Sequence, residues 1–274
     1  MKTSFWSRLV MGVAAVGILG AVSLYFLWDP KRSYEPAPDT AASTITTEVL
    51  GKASGARIYF GHRSVGKNIL SGVSDVYAAK GVTQPEVVEV PIGGSVPKVA
   101  GEGTILHTQI GENGNPAGKL VNFDSMVRSG IADQVDIALL KFCYVDIKWN
   151  TDVDALFAEY KQTMADLERD YPNVRFLHAT VPLTVGPVGI KGHIKAVVGR
   201  DDNATRTRYN ELIRGNFDAD QVFDLAAVEA TSPDGEALTS LYPGYSSDGA
   251  HLNASGASKV AVVLLETVAR TGQA

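Results

Sequence analysis

Two short segments near opposite ends of the chain carry residue types that could do acyl-transfer chemistry. Gly61-His62-Arg63-Ser64-Val65-Gly66-Lys67-Asn68 sets a serine between glycines. Asp248-Gly249-Ala250-His251-Leu252-Asn253 sets a carboxylate three residues before an imidazole. A serine hydroxyl is a weak nucleophile until a base takes its proton, and histidine suits that task near neutral pH. A carboxylate on the far imidazole nitrogen fixes the tautomer and stabilises the imidazolium. These types point to a split hydrolytic site, with Ser64 as nucleophile, His251 as base and Asp248 as orienter. Plainer roles stand beside each: Ser64 as a helix N-cap, His251 as a surface histidine, Asp248 as a turn residue.

The elements around these segments would have to position them. Ala56–Phe60 is a short apolar run that reads as a strand, and Val65–Lys80 has apolar residues at helical spacing. A strand that breaks into a serine turn before a helix lifts the hydroxyl above the sheet edge. Further strands are expected at Glu86–Ile92, Val135–Cys143, Val174–Ala179 and Gln221–Ala226. Helices are expected at Val153–Tyr171, Arg206–Asn216 and Ser255–Arg270. Such alternation predicts a three-layer α/β/α fold with a mostly parallel, flavodoxin-like sheet. Ligands in such folds bind outside the carboxyl ends of the strands, where Ser64, Gly93, Gly94, Tyr144 and Thr180 fall. Two glycine-containing connections, Ser95–Gly118 and Val185–Asn203, are long enough to expect a function of their own.

The chain has 274 residues and a formal net charge of −5, with no basic footprint for nucleic acid. Cys143 is its only cysteine, so no intramolecular disulfide can form. His107, His178 and His193 follow no zinc-ligand spacing, and neither a metal nor an organic cofactor is implied. Leu9–Trp28 is a twenty-residue run without charge, behind Lys2 and Arg8. A signal-peptide apolar region spans roughly 7–15 residues and a membrane helix needs about 20. The run therefore predicts an uncleaved signal anchor, a transmembrane helix that makes the membrane a partner. The domain would then lie outside the cytoplasm, periplasmic or extracellular, or be secreted if the segment is cleaved. The expected division is residues 1–32 as anchor or signal, 33–47 as a flexible Pro/Ala/Ser/Thr tether, and 48–274 as the catalytic domain.

The order strand, serine turn, helix, then Asp-x-x-His before a closing helix, resembles the GDSL/SGNH hydrolase superfamily. Asp248-Gly249-Ala250-His251-Leu252-Asn253, with Gly256 behind it, is similar to the last block of that family. Arg208–Arg214 and Phe223-Asp224-Leu225 resemble stretches that precede that block. Phe60–Gly66 and Lys141-Phe142-Cys143-Tyr144-Val145-Asp146 resemble a bacterial branch of it. The resemblance implies a flavodoxin-like fold, a serine esterase, lipase or carbohydrate deacetylase activity, and the roles given above to Ser64, His251 and Asp248. Two departures stand out. Arg63 occupies the usual serine position, so Ser64 comes one residue late, and Lys141-Phe142-Cys143-Tyr144 replaces the usual Gly-x-Asn-Asp third block. Oxyanion donors are then sought at the Gly94 N–H and at Asn113, with Asn150 a further possibility. His62, Tyr144 and Lys141 are candidates for contact with substrate, and packing under the serine turn is the slightly favoured role for His62.

The implied substrate is a small-molecule or polysaccharide ester, carrying an acyl or acetyl group on an extracytoplasmic carbohydrate or lipid. Acyl transfer would use the same site. A non-catalytic glycan-binding or envelope-assembly protein on the same fold is the alternative that the missing third block favours. A phosphate loop is the remaining rival, because Gly61–Lys67 fits G-x-x-x-x-G-K; Asn68 stands where that motif needs Ser or Thr.

Overall fold

The computed structural model describes residues 27, 33–99, 101, 103–187 and 189–271. It divides into two compact units. The larger comprises Tyr34–Gly186 and Asp202–Ala274, and it holds every strand found among the described residues. Its six strands pair in parallel: β1 (Arg57–His62), β2 (Glu86–Glu89), β3 (Thr104–Gln109), β4 (Ile137–Leu140), β5 (Arg175–Ala179) and β6 (Val222–Phe223). The spatial order is β2-β3-β1-β4-β5-β6, which makes β1 a central strand.

The period-two alternation of side chains sends each strand into two cores. Ile58 and Phe60 of β1, Ile105 of β3 and Leu139 of β4 face one side. That side is covered by α1 (Ala41–Thr44), α2 (Thr47–Gly55), α3 (Val65–Lys80) and α9 (Ala254–Thr271). Tyr59, Leu106 and Ala138 face the other, under α4 (Pro116–Met126), α5 (Val153–Asp170) and α7 (Asp202–Asn216). α6 (Gly189–Val197) belongs to the smaller unit, and α8 (Leu225–Glu229) follows β6. A sheet covered on both faces explains why its strands are apolar runs rather than alternating ones. The result is the three-layer α/β/α arrangement expected from the sequence.

Two helices set the geometry of the site. α3 follows the serine turn, α9 follows the Asp-x-x-His loop, and they pack along each other. Gly72 permits their closest approach: a Cβ there would lie 2.3 Å from the Ala257 carbonyl oxygen. The start of α9 is fixed by Asn253, whose Oδ1 accepts the Gly256 N–H at 3.0 Å while its Nδ2 donates to Gly244 O at 2.8 Å. Gly256 is required by the same turn, since a Cβ would meet Tyr245 O at 2.4 Å.

The stretch read as a tether is fastened to the domain. The Ala37 N–H donates to Gly244 O at 2.8 Å. Ser258 Oγ donates to Asp39 Oδ2 at 2.8 Å, and Ser255 Oγ to Pro38 O at 3.1 Å. Both long connections also contain structure. β3 lies within Ser95–Gly118, and α6 lies within Val185–Asn203.

One expectation is corrected. Among the described residues no helix is long and apolar enough to cross a membrane, so the transmembrane helix and signal anchor are withdrawn. Nearly all of the run on which they rested, Leu9–Trp28, lies outside the described residues.

Candidate active site

β1 ends at His62, and the chain turns through Arg63 and Ser64 into α3. Ser64 has φ 52° and ψ −108°, the one positive φ outside glycine among the described residues. Such a conformation costs of order 1–3 kcal/mol and persists only where its surroundings impose it. Ser64 occupies the N-cap position, yet its side chain makes no capping bond. Its Oγ lies instead 2.7 Å from His251 Nε2. The plain N-cap role is thereby excluded.

His251 Nδ1 lies 2.7 Å from Asp248 Oδ2. The other oxygen of Asp248 accepts the N–H groups of Ala250, at 2.9 Å, and His251, at 2.8 Å. Burial pushes the Asp248 carboxyl upward, but the bonds from His251 and Ala250 outweigh it and hold it below the usual carboxylate range. The loop is closed by Ser246, whose Oγ donates to His251 O at 2.7 Å and accepts the Gly249 N–H at 2.8 Å. Nothing in the sequence marked Ser246 for this task. The Tyr144 ring stands edge-on to the imidazole, with centroids 5.7 Å apart. Arg206 holds that residue from behind, through an Nε–H donated to Tyr144 O at 2.8 Å. Burial, then the nearby Asp248 charge, raises the Tyr144 hydroxyl above its ordinary value.

Three candidates are corrected. Gly94 follows β2, and β3 separates β2 from β1. Its N–H is already donated to Pro91 O at 2.9 Å, so it does not serve as an oxyanion donor. His62 is fully buried beneath the helix it precedes; a Cβ on Gly66 would sit 2.4 Å from its ring. Burial, then the charges of Lys141, His107 and Lys67, push its imidazole down to about 2. It is a neutral packing group, with Nε2 3.1 Å from His107 Nδ1. Lys141 is fully buried as well, its ammonium directed at Cys143 Sγ at 3.7 Å. Neither can touch a substrate.

The loops next to Ser64 are those after β3 and β4, the neighbours of β1. Cys143 Sγ donates to Arg63 O at 3.2 Å, and Arg63 Nε donates to Ile110 O at 3.4 Å. Asn113, in the first of these loops, is exposed. The Gly66 and Lys67 N–H groups bond back to Arg63 O (3.1 Å) and Ser64 O (2.8 Å), so they do not cradle a phosphate. No acceptor among the described residues takes the Ser64 N–H, which leaves it available to an oxyanion.

Glu229 is a further buried acid that the sequence did not single out. Its Oε2 accepts the Leu183 N–H at 2.6 Å, and its Oε1 has no partner. Burial pushes its carboxyl up to about 8 against the bond from Leu183. The folded form therefore holds this proton where the unfolded chain has lost it. The stabilisation is complete below the ordinary carboxylate range and disappears as pH rises through about 8. The melting temperature should fall between pH 5 and 9, and Glu229→Gln should flatten that slope; thermal melts at several pH values measure both.

No protein-family model and no curated protein matches the chain. Several solved structures are similar to it. A peptidoglycan O-acetylesterase is 11% identical with a TM-score of 0.44, covering 85% of this chain and 96% of that one. The periplasmic domain of a lipopolysaccharide acetyltransferase from Salmonella ser. Paratyphi A is 11% identical (TM-score 0.41; 82% and 87%). A lipase from a goat rumen metagenome is 9% identical (TM-score 0.40; 76% and 94%). In its fold the chain is similar to GDSL/SGNH hydrolases, among them a lipolytic protein of the G-D-S-L family from Desulfitobacterium hafniense (10% identical, TM-score 0.41; 78% and 99%).

Proposed function

We propose that this protein is a serine ester hydrolase of SGNH type, acting on acyl or acetyl esters of an extracytoplasmic carbohydrate or lipid. The observation that carries the reading is the unbroken Oγ–imidazole–carboxylate chain, with both links at 2.7 Å. Ser64 Oγ passes its proton to His251 Nε2 and bonds to the ester carbonyl carbon. The oxyanion that forms meets the Ser64 N–H. Collapse expels the alcohol, which takes the proton from His251. Water then repeats the sequence on the acyl-serine, releasing the acid and restoring Ser64. The side chains of His251 and Asp248 are 39% and 52% exposed, which suits a small acyl group carried on a bulky alcohol. The extracytoplasmic setting rests on reading the uncharged run behind Lys2 and Arg8 as a secretory signal, the alternative to the withdrawn anchor.

The test is direct. Purified protein should hydrolyse p-nitrophenyl acetate, release acetate from an O-acetylated polysaccharide, and take a fluorophosphonate label at Ser64. A protein that cleaves no ester over a range of acyl lengths and takes no label would overturn the proposal.

A further inference from the structure

A buried ion pair lies beside the site, and the mechanism above does not use it. Lys119 of α4 and Asp146 have fully buried side chains, with Nζ 2.5 Å from Oδ2. Removing two charges from water is costly, and an apolar pair of similar volume often serves stability as well or better. The pair is therefore better explained by what it holds. Asp146 Oδ2 also accepts the Cys143 N–H at 2.6 Å, in the loop after β4. Its Oδ1 accepts the Gly114 N–H at 2.7 Å, in the loop after β3. Lys119 Nζ donates to Asn113 Oδ1 at 3.0 Å in that same loop. One carboxylate thus joins the two loops that flank the nucleophile, and both loops are bonded again to Arg63.

The bond to Asn113 has a directional consequence. An ammonium has three donors and no acceptor, so it can face only the oxygen of an amide. Lys119 therefore fixes which end of the Asn113 amide is bound, and the NH2 group is turned away from it. We propose that Lys119 and Asp146 are positioning residues that present the Asn113 NH2 to the oxyanion on Ser64. This rests on the ester-hydrolase reading and extends it. The donor comes from the loop after β3, not from the third block where the sequence resemblance would place it. Asp146 keeps Lys119 in place, and Lys119 keeps the amide from flipping.

The experiment is steady-state kinetics on p-nitrophenyl acetate with full-length variants, alongside thermal melts. Asn113→Ala should lower kcat by ~10^2-fold, the cost of losing one oxyanion donor, with KM little changed. Asn113→Asp keeps an acceptor for Lys119 but has no NH2, so it should lose as much kcat while melting like the wild type. Lys119→Met should lower kcat and not KM, and should add little on top of Asn113→Ala. Lys119→Gln, which still offers a donor to Asn113 Oδ1, should recover much of that loss. Wild-type kcat in both Asn113 variants would overturn the proposal. Fully additive losses for Lys119→Met and Asn113→Ala would overturn the role of Lys119, leaving it a packing group. If Lys119→Met does not fold, the Asn113→Asp variant and the Lys119→Gln rescue still decide. An inert wild-type protein is a different result, because it removes the ester-hydrolase reading underneath.

Discussion

Ser64→Ala and His251→Ala should each lower turnover of a short activated ester by about 10^3-fold or more, because neither partner works without the other. The double variant should be barely worse than either single one, which distinguishes a joined pair from two independent contributors. Asp248→Asn should cost less than the histidine change. Its amide oxygen can still accept the Ala250 and His251 N–H groups that hold the loop. Melting temperatures should move little in these three variants. Ser64→Gly adds a separate readout. Glycine adopts positive φ without penalty, so it should melt above Ser64→Ala by the equivalent of about 1 kcal/mol while being equally inactive. Equal melting points would show that the serine turn stores no strain.

Gly72→Ala should be the most damaging change outside the triad. The new Cβ would lie 2.3 Å from Ala257 O, 2.4 Å from Ala257 C and 2.8 Å from Ser258 N, all backbone atoms that cannot turn aside. α3 and α9 must then separate, at a cost of about 1–3 kcal/mol for overpacking. Ser64 stands at the head of one helix and His251 just ahead of the other, so the separation should reach their 2.7 Å bond. A displacement of about 1 Å can cost 10^2-fold in rate. Gly51→Ala is the matched control: it lies within α2, with nothing within 4 Å of the added Cβ. It should stabilise by roughly 0.5–1 kcal/mol through helix propensity and leave kcat unchanged. Melting temperatures of the two variants should therefore move in opposite directions, while kcat falls only in Gly72→Ala.

The parts legible in the sequence were those where one signal is strong and local. Val65–Lys80 carries a helical apolar stripe and is α3 to the residue. Asp248 and His251 come together because an Asp-x-x-His turn lets one carboxylate reach both the backbone and the ring. β3 was not legible. Thr104–Gln109 carries Thr, His and Gln amid glycines, and its polar side chains are satisfied by neighbours that only the folded chain supplies. Thr108 Oγ1, for example, donates to Val90 O at 2.7 Å. Missing that strand misplaced the next one: Glu86–Glu89 is the edge strand, and Gly94 therefore stands apart from Ser64. His62, for which packing was the favoured reading, and Lys141 were candidates because each falls near the end of a strand expected beside the crevice. Their burial depends on α3 and on the loop after β4, neither of which local sequence reports.

The pairing of Ser64 with His251 spans 187 residues of chain. Synthesis runs from the N-terminus, so the serine turn and most of the sheet leave the ribosome well before the base and its carboxylate. A chain stalled or clipped anywhere before Asp248 carries Ser64 with no imidazole beside it. It also lacks α9, and without that helix Leu50, Val73 and Val76 lose much of their apolar cover. On the proposed function, the incomplete chain is thus both silent and sticky, a substrate for chaperones and proteases.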